Sequence, residues 1–178
     1  MKIERDLKKI KNLAKKKEDE NWRFRTFLKG YDLDIEELDA IVHGLFREIS
    51  AEIDCRSCGN CCRKISPVLD QEDIEKLSMG QGISPEDVKR QFLMYDDDFS
   101  EGLIFNEMPC PFLKGNQCSS YEFRPEACRS FPHLHKDEFV SRLMGVVQNY
   151  EICPVVFNVY EQLKKKFSWP KRFNSIGA

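Results

Sequence analysis

The stretch Cys55-Arg-Ser-Cys58-Gly-Asn-Cys61-Cys62 places four cysteines within eight residues. Four further cysteines follow it along the chain: Cys110, Cys118, Cys128 and Cys153. Core packing does not explain this density, because free thiols are far less common in ordinary globular proteins. Thiolates are the ligands that soft cations prefer, so the spacing favours zinc or an iron–sulfur cluster. The stretch therefore predicts a fold organised around bound metal.

The composition is typical of a globular chain, with 178 residues of which 41% are hydrophobic and 33% charged. A chain of this length folds as one domain with a sizeable core. Its first residues are charged, and no stretch approaches the ~18 apolar residues of a membrane span, so we expect no secretory signal and no membrane association. We therefore expect a cytoplasmic protein, where a reducing environment disfavours disulfides. We therefore expect the eight cysteines to ligate metal as two sets of four. The competing interpretation is that they form four disulfides.

The net charge of −2 is unevenly distributed. Residues 1–30 contain eleven Lys and Arg against five Asp and Glu, which gives +6 and leaves −8 for the rest of the chain. A basic helix of this kind either presents a solvated face or contacts a protein partner with an acidic surface. The acidic remainder argues against a nucleic-acid partner.

Hydrophobic periodicity predicts two N-terminal helices. Residues 3–28 form one charged helix that ends at Lys29-Gly30, and Asp34 caps an amphipathic helix that runs to about Glu52. We divide the chain into an N-terminal helical region at residues 1–50, a cysteine-cluster domain at residues 51–170 and a tail at residues 171–178.

The cysteine-cluster domain combines short helices with short strands. Asp70 caps a helix that is broken at residues 79–82, and Ser84-Pro85 begins another, with Tyr95 on its buried side. The three aspartates at residues 96–98 indicate a solvated turn rather than a cation site. Short strands are predicted around Gly115-Asn116 and through residues 139–143, a helical turn at residues 124–129, and a last helix from Cys153-Pro154. The fold class is therefore α+β: a helix-rich single domain with a small, short-stranded β element and loops around the cysteine metal sites.

The cysteines divide most simply into two sets. A Cys-x-x-Cys turn brings two thiolates to one ion, and Gly59 lets the chain bend tightly there. The first set holds Cys55, Cys58, either Cys61 or Cys62, and Cys153. The second holds the remaining member of the 61/62 pair with Cys110, Cys118 and Cys128. Zinc and an iron–sulfur cluster, including a [4Fe–4S] cluster, both fit this count.

Basic residues and histidines lie near the cysteines in the sequence. Arg63, Lys64, Arg124 and Arg129 either offset the negative charge of a four-thiolate centre, bind an anionic substrate beside it, or are simply solvated. His133 and His135 alternate as on one face of a strand and are a less favoured source of zinc ligands. His43 falls off the apolar stripe of its helix and is interpreted as a surface residue.

The motifs resemble the bacterial CxxCxxCC cysteine-cluster family of YkgJ-like proteins. The matching residues are Cys55-x-x-Cys58-Gly-x-Cys61-Cys62, then Pro109-Cys110-Pro-Phe-Leu, then Cys118-Ser-Ser-Tyr121-Glu-x-Arg124-Pro125-x-x-Cys128-Arg-Ser-Phe131-Pro132. The resemblance extends over residues 53–155 and implies chelation of zinc or iron by Cys55, Cys58, Cys61, Cys62, Cys110, Cys118, Cys128 and Cys153. A similar domain occurs in flagellin lysine methylases, which implies an enzyme as one alternative.

Three functions follow as hypotheses. The first is a cytoplasmic protein that chelates zinc, iron or both in a structural or redox-related role. The second is a metal-dependent enzyme that modifies a protein or a small substrate. The third is an adaptor that structural zinc stabilises and that binds nucleic acid or a protein through its basic N-terminal helix. The sequence carries no glycine-rich nucleotide loop and no Ser/His/Asp order, so it assigns no reaction.

Overall fold

The computed structural model describes residues 2–31, 34–95 and 102–170. The chain forms two compact units. The helical unit comprises Met1–Asp54 and Pro132–Ala178, and the cysteine-rich unit comprises Cys55–Phe131. The predicted boundaries at residues 50 and 170 stay a prediction. The predicted tail at residues 171–178 and the predicted turn at residues 96–98 lie outside the described residues.

The helices and strands confirm the helix-rich α+β class. The helices are α1 (Leu7–Lys16), α2 (Glu18–Gly30), α3 (Ile35–Glu52), α4 (Cys55–Cys58), α5 (Gln71–Gln81), α6 (Pro85–Phe92), α7 (Glu126–Ser130), α8 (Leu143–Asn149) and α9 (Pro154–Lys166). Single 3₁₀ turns cover Cys61–Arg63, Tyr121–Phe123 and Phe139–Arg142. The strands are β1 (Leu93–Tyr95), β2 (Leu103–Phe105), β3 (Leu113–Lys114) and β4 (Gln117–Cys118). Of the described helices, none has both the length and the apolar character that crossing a bilayer requires.

The helical unit is built on the packing of α3 against α9. Asp34 caps α3 as predicted, because its carboxylate accepts the N–H of Glu36 at 3.0 Å. The unit buries one side chain or more from each of its helices: Ile10, Phe24, Val42, Ile49, Leu143, Val155, Tyr160 and Leu163. Lys8, Lys11 and Lys15 of α1 are exposed. A protein partner for this basic helix stays a prediction.

Two sequence-based expectations for the helical unit were wrong. The single helix predicted over residues 3–28 is two helices, because Lys17 leaves helical geometry at φ −107° and ψ 14°. The acidic first turn of α2 favours a new helix start there. The strand predicted over residues 139–143 is a 3₁₀ turn that leads into α8. The buried carboxylate of Asp39 accepts the N–H groups of Glu138 and Phe139, at 2.6 and 2.8 Å, and so starts a helix rather than a strand.

The cysteine-rich unit has its own small core. It is formed by seven buried side chains from α5, α6, the two sheets and their connections: Leu69, Ile74, Leu77, Val88, Leu93, Phe105 and Phe112. β1 pairs with β2, and β3 pairs with β4, each antiparallel. The predicted hairpin around Gly115-Asn116 is therefore confirmed.

Helix boundaries in the cysteine-rich unit follow their caps. Asp70 and Asp73 form a capping box at the start of α5, and Ser84 caps α6, as the sequence predicted for both starts. The predicted break at residue 79 was wrong, because α5 continues to Gln81 and ends only at Gly82, which is left-handed at φ +67°. Tyr95 was also wrongly placed, since its side chain is 70% exposed on β1.

Candidate metal centre

The first cysteine segment consists of two short turns joined at a glycine. Helix α4 carries Cys55 and Cys58, and the 3₁₀ turn Cys61–Arg63 carries Cys61 and Cys62. The carbonyl of Cys61 accepts two N–H groups, from Lys64 at 3.0 Å and Ile65 at 2.8 Å, and this closes the second turn. Between the turns Gly59 is left-handed, with φ +60°. The bend that the Cys-x-x-Cys spacing predicted is therefore present.

Gly59→Ala is expected to open this segment. A Cβ added at Gly59 would lie 2.6 Å from the backbone oxygen of Asn116, which has no side-chain freedom to move away. Left-handed strain costs an alanine about 1–2 kcal/mol, and crowding of this kind adds about 1–3 kcal/mol. Hydrogen exchange of peptides that span residues 55–70 measures the change in opening free energy.

Gly115→Ala is the matched control for that substitution. Gly115 has nearly the same backbone angle, φ +61°, but an added Cβ there meets no atom within 4 Å. We expect Gly115→Ala to lose only the stability that left-handed strain costs. Hydrogen exchange of the peptides that span residues 55–70 should therefore increase less than in Gly59→Ala. Equal increases in the two variants would show that contact with Asn116 does not matter.

The second cysteine segment is tied to the first by its backbone. The N–H of Cys110 donates to the carbonyl of Cys62 at 2.8 Å, and the N–H of Leu113 donates to the carbonyl of Cys110 at 2.9 Å. The β3–β4 hairpin follows, with Cys118 opposite Leu113. Cys110 and Cys118 are half-buried and pack against the small core of the unit. Backbone hydrogen bonds and a hairpin register therefore bring these two thiols towards Cys62.

The third cysteine segment is anchored by the carboxylate of Asp73, a contact that the sequence did not predict. Cys128 lies on α7, and the Oδ1 atom of Asp73 accepts the N–H of Glu126 at the start of that helix, at 2.8 Å. Asp73 is 4% exposed and also completes the capping box of α5. One side chain thus fixes the starts of two helices. The Asp70-x-x-Asp73 spacing signals the cap, but no local pattern signals the contact with α7.

The pKa shifts show that four thiols share one neighbourhood. Burial raises the pKa of Cys110 to about 11, with further increases from Cys62 and Cys118. Burial likewise raises the pKa of Cys118, and the charge of Cys62 adds to it. Burial raises the pKa of Cys128 to about 12, with contributions from Cys62, Cys110, Cys118 and Asp73. Every pair among the four thiols therefore interacts electrostatically, and we call Cys62, Cys110, Cys118 and Cys128 the thiol cluster.

Cys62 differs from the other members of the thiol cluster. Its Sγ atom lies 4.0 Å from the Sγ atom of Cys61, so the two neighbouring thiols lie close together. The interaction with Cys61 and the charge of Arg63 lower the pKa of Cys62 to about 7, against the opposing effect of burial. Cys62 is therefore the most readily ionised member of the cluster.

The remaining cysteines are placed as follows. Cys55 is exposed, Cys58 and Cys61 are half-buried in the first segment, and Cys153 is buried in the helical unit before α9. In the described part of the chain no disulfide joins any cysteine, and no group of three or more Cys, His, Asp or Glu side chains is arranged to hold a metal ion. The predicted set that joins Cys55, Cys58 and Cys61 with Cys153 stays a prediction.

The basic neighbours of the cysteines contact the protein itself. Arg124 lies over the ring of Tyr121 at 3.7 Å and lowers the pKa of Cys118 against the larger effect of burial. Arg129 donates to the carbonyl of Glu122 at 2.8 Å. Charge compensation is thus the role of Arg124 that the structure supports.

The two candidate histidines lie in the helical unit, outside any strand. His133 is left-handed at φ +61°, and the ring of His135 lies 5.9 Å from the ring of Phe46. The expectation that both rings share one face of a strand was wrong, because residues 132–138 form turns held by Asp39 and Arg142. His43 is partly buried, and its Nε2 atom lies 3.2 Å from the carbonyl oxygen of Lys136.

Comparison with known families gives one match. Residues 54–171 match the model of the CxxCxxCC family, which is described as "Putative zinc- or iron-chelating domain". The match covers more than half of the chain and includes all eight cysteines. No curated protein and no solved structure matches the chain.

Proposed function

The chain belongs to the CxxCxxCC family, and from this premise we propose that its cysteine-rich unit chelates zinc or iron through the thiol cluster. The observation that carries the proposal is the backbone contact that brings Cys110 and the hairpin of Cys118 towards Cys62, to which the electrostatic influence among the four thiols adds. Burial and neighbouring thiols raise the pKa of Cys110, Cys118 and Cys128, so these three thiols favour their neutral form unless a cation is bound among them. A bound divalent cation lowers the pKa of the thiols that ligate it, so they bind as thiolates.

The donor set fits the metals that the family name implies. Four thiolates make the closed tetrahedral set of a structural zinc site, and the same set holds iron or an iron–sulfur cluster. As neutral thiols, Cys110 and Cys118 pack against the core as small apolar side chains.

A structural role suits the organisation of the unit. Its core contains seven buried side chains, whereas residues 106–125 contain only two-residue strands and one 3₁₀ turn. The thiol cluster takes one member from the first cysteine segment, two from around the hairpin and one from α7. A metal held by all four would therefore cross-link three segments of the cysteine-rich unit.

The other four cysteines complete the proposal. Cys55, Cys58 and Cys61 are the ligands that we propose for a second metal in the cysteine-rich unit, and the participation of Cys153 stays a prediction. Eight reduced thiols suit a reducing cytoplasm, which we propose as the compartment. A redox role follows only where the bound group is an iron–sulfur cluster, because zinc has no accessible redox change.

Anaerobic purification with metal and sulfide analysis tests the proposed function. We expect at least one zinc or iron for each chain, and inorganic sulfide together with visible absorption where the metal is iron in a cluster. A chain that is folded by circular dichroism and contains neither metal nor sulfide, even after anaerobic incubation with zinc or ferrous ions, would overturn the proposal.

A further inference from the structure

We propose that Arg63 is the positioning residue of the metal site, an inference that rests on the proposed function. Its guanidinium group holds the segment that carries Cys62 against the hairpin that carries Cys118. Arg63 neither ligates the metal nor contacts a substrate in this proposal. It acts through the two cysteines, by fixing the distance between their backbones before the metal binds.

The hydrogen bonds of Arg63 connect the two segments directly. On one side its Nη1 atom donates to the carbonyl oxygens of Gly59 at 2.9 Å and Cys58 at 3.4 Å. On the other side its Nη2 atom donates to the carbonyl oxygen of Gly115 at 2.5 Å and to Oδ1 of Asn116 at 2.6 Å. The two groups of acceptors are separated by more than fifty residues in sequence, so no local turn brings them together.

The contact that Arg63 bridges is also closely packed. A Cβ added at Gly59 would lie 2.6 Å from the backbone oxygen of Asn116 and 3.1 Å from Nη1 of Arg63. The two backbones therefore approach as closely as a glycine allows. Cys62 immediately precedes Arg63, and Cys118 follows Asn116 by two residues. The position of this contact thus sets the separation of two members of the thiol cluster.

Guanidinium geometry is required for this connection. Arginine presents five N–H donors in a rigid planar fork, whereas a lysine ammonium is a single point on a flexible chain. A lysine at position 63 would keep the positive charge near Cys62 but would not reach both groups of carbonyl oxygens. Residues that orient metal ligands in this way affect metal affinity about 10- to 100-fold.

The experiment measures zinc affinity by competition with a chelator in the full-length chain and its variants. We expect R63K and R63Q to raise the Kd for zinc by about 10- to 100-fold. R129K is the matched control, because Arg129 follows Cys128 directly but binds the carbonyl of Glu122 within its own segment. We expect it to change the Kd less than about threefold. Rescue of affinity by lysine at position 63 would show that charge alone matters and would overturn the proposal.

Two further readouts separate positioning from loss of a ligand or of folding. Cobalt(II) at saturation should give the same thiolate charge-transfer and d–d absorption in R63K as in the wild type, because the ligand set is unchanged. In a double-mutant cycle with N116A, the two substitutions should not be additive, because they remove the same contact. A lower thiolate absorption at saturation, or full additivity, would contradict the assignment.

The outcomes also distinguish this inference from the proposed function. A wild-type chain that binds zinc, alongside an R63K variant that binds it equally well, overturns the role of Arg63 and leaves the proposed function intact. A wild-type chain that binds neither zinc, cobalt nor iron overturns both.

Discussion

Replacing Cys128 with serine is expected to abolish tight metal binding by the thiol cluster. Burial raises the pKa of the Cys128 thiol to about 12, and the charges of three other cysteines add to that increase. A bound cation offsets this cost, but a serine hydroxyl does not ionise to provide the same ligand. The loss should exceed the ~100-fold that accompanies removal of an outer-shell partner. Competition with a chelator measures the Kd, and cobalt(II) absorption counts the thiolates.

The neighbouring pair Cys61 and Cys62 offers the sharpest control for this prediction. The two residues are adjacent, and both side chains are half-buried. The sequence does not distinguish the two residues, whereas the structure assigns Cys62 rather than Cys61 to the thiol cluster. We therefore expect Cys62→Ser to match the Cys128 variant at this site, and Cys61→Ser to leave its cobalt(II) spectrum and affinity largely unchanged. The reverse pattern would show that the assignment within the pair is wrong.

Cys55 is informative in the same experiment. Its side chain is exposed in α4, and we assign it to the second proposed metal. Cys55→Ser should reduce the total metal content while the thiol cluster keeps its metal. If Cys55→Ser and Cys128→Ser remove the same metal ion, the division of the eight cysteines into these two sets is wrong.

The sequence predicted well those features that depend on neighbouring residues. The starts of α3, α5 and α6 follow from Asp34, Asp70 and Ser84, because a cap acts within three residues of its own position. The β3–β4 hairpin follows from Gly115-Asn116 for the same reason. The family follows from the spacing of the cysteines, which is a property of the sequence itself.

The features that sequence analysis missed depend on distant residues. Residues 139–143 have the composition of a strand but form a helical start, since Asp39, about one hundred residues away, accepts their first N–H groups. Asp73 looks like an ordinary capping residue, and its contact with Glu126 is 53 residues away. Arg63 looks like a solvated charge until the hairpin of Asn116 is placed beside it. Side chains that satisfy backbone groups across long separations are not visible in local patterns.

The helical unit contains a buried ionic network whose disruption should have the largest effect on stability. Lys164 is 3% exposed, and its ammonium group bonds to Glu161 at 2.9 Å and to Glu20 at 2.7 Å, with Asn21 as a third acceptor. These contacts join α9 to α2. Glu161 also accepts the hydroxyl of Tyr150 at 2.9 Å. A cation at this position therefore satisfies several acceptors that have limited access to water.

Lys164→Met is expected to lower the free energy of unfolding of the helical unit by about 3 kcal/mol. Methionine fills a similar volume but leaves Asn21 without its buried donor and Glu161 with only Lys17 and Tyr150 as partners, and breaking a buried ion pair typically costs about 3–5 kcal/mol. Glu20 is 34% exposed, so water partly replaces Lys164 as its partner. We therefore expect a loss at the lower end of this range. Both tryptophans of the chain, Trp22 and Trp169, lie in the helical unit, and their fluorescence during urea unfolding reports on that unit.

Lys165→Met is the matched control, because Lys165 is exposed on the same turn of α9. We expect it to change stability by no more than about 0.5 kcal/mol. Similar losses in the two variants would show that the network contributes little.

Acid should weaken the same network in a way that separates the two variants. Burial raises the pKa of Glu161, but Lys17 and Lys164 outweigh burial and hold it below its usual value of 4.5. A carboxylate whose pKa is lowered in the folded state stabilises the protein above its unfolded pKa, and this contribution is lost as the pH falls through the folded pKa. Without Lys164 the folded pKa of Glu161 should rise towards its unfolded value, so the variant has less of this contribution to lose on acidification. Urea unfolding between pH 7 and pH 3, followed by tryptophan fluorescence, should therefore show a smaller acid loss of stability in Lys164→Met than in Lys165→Met, and coincident pH profiles would contradict the role assigned to Lys164.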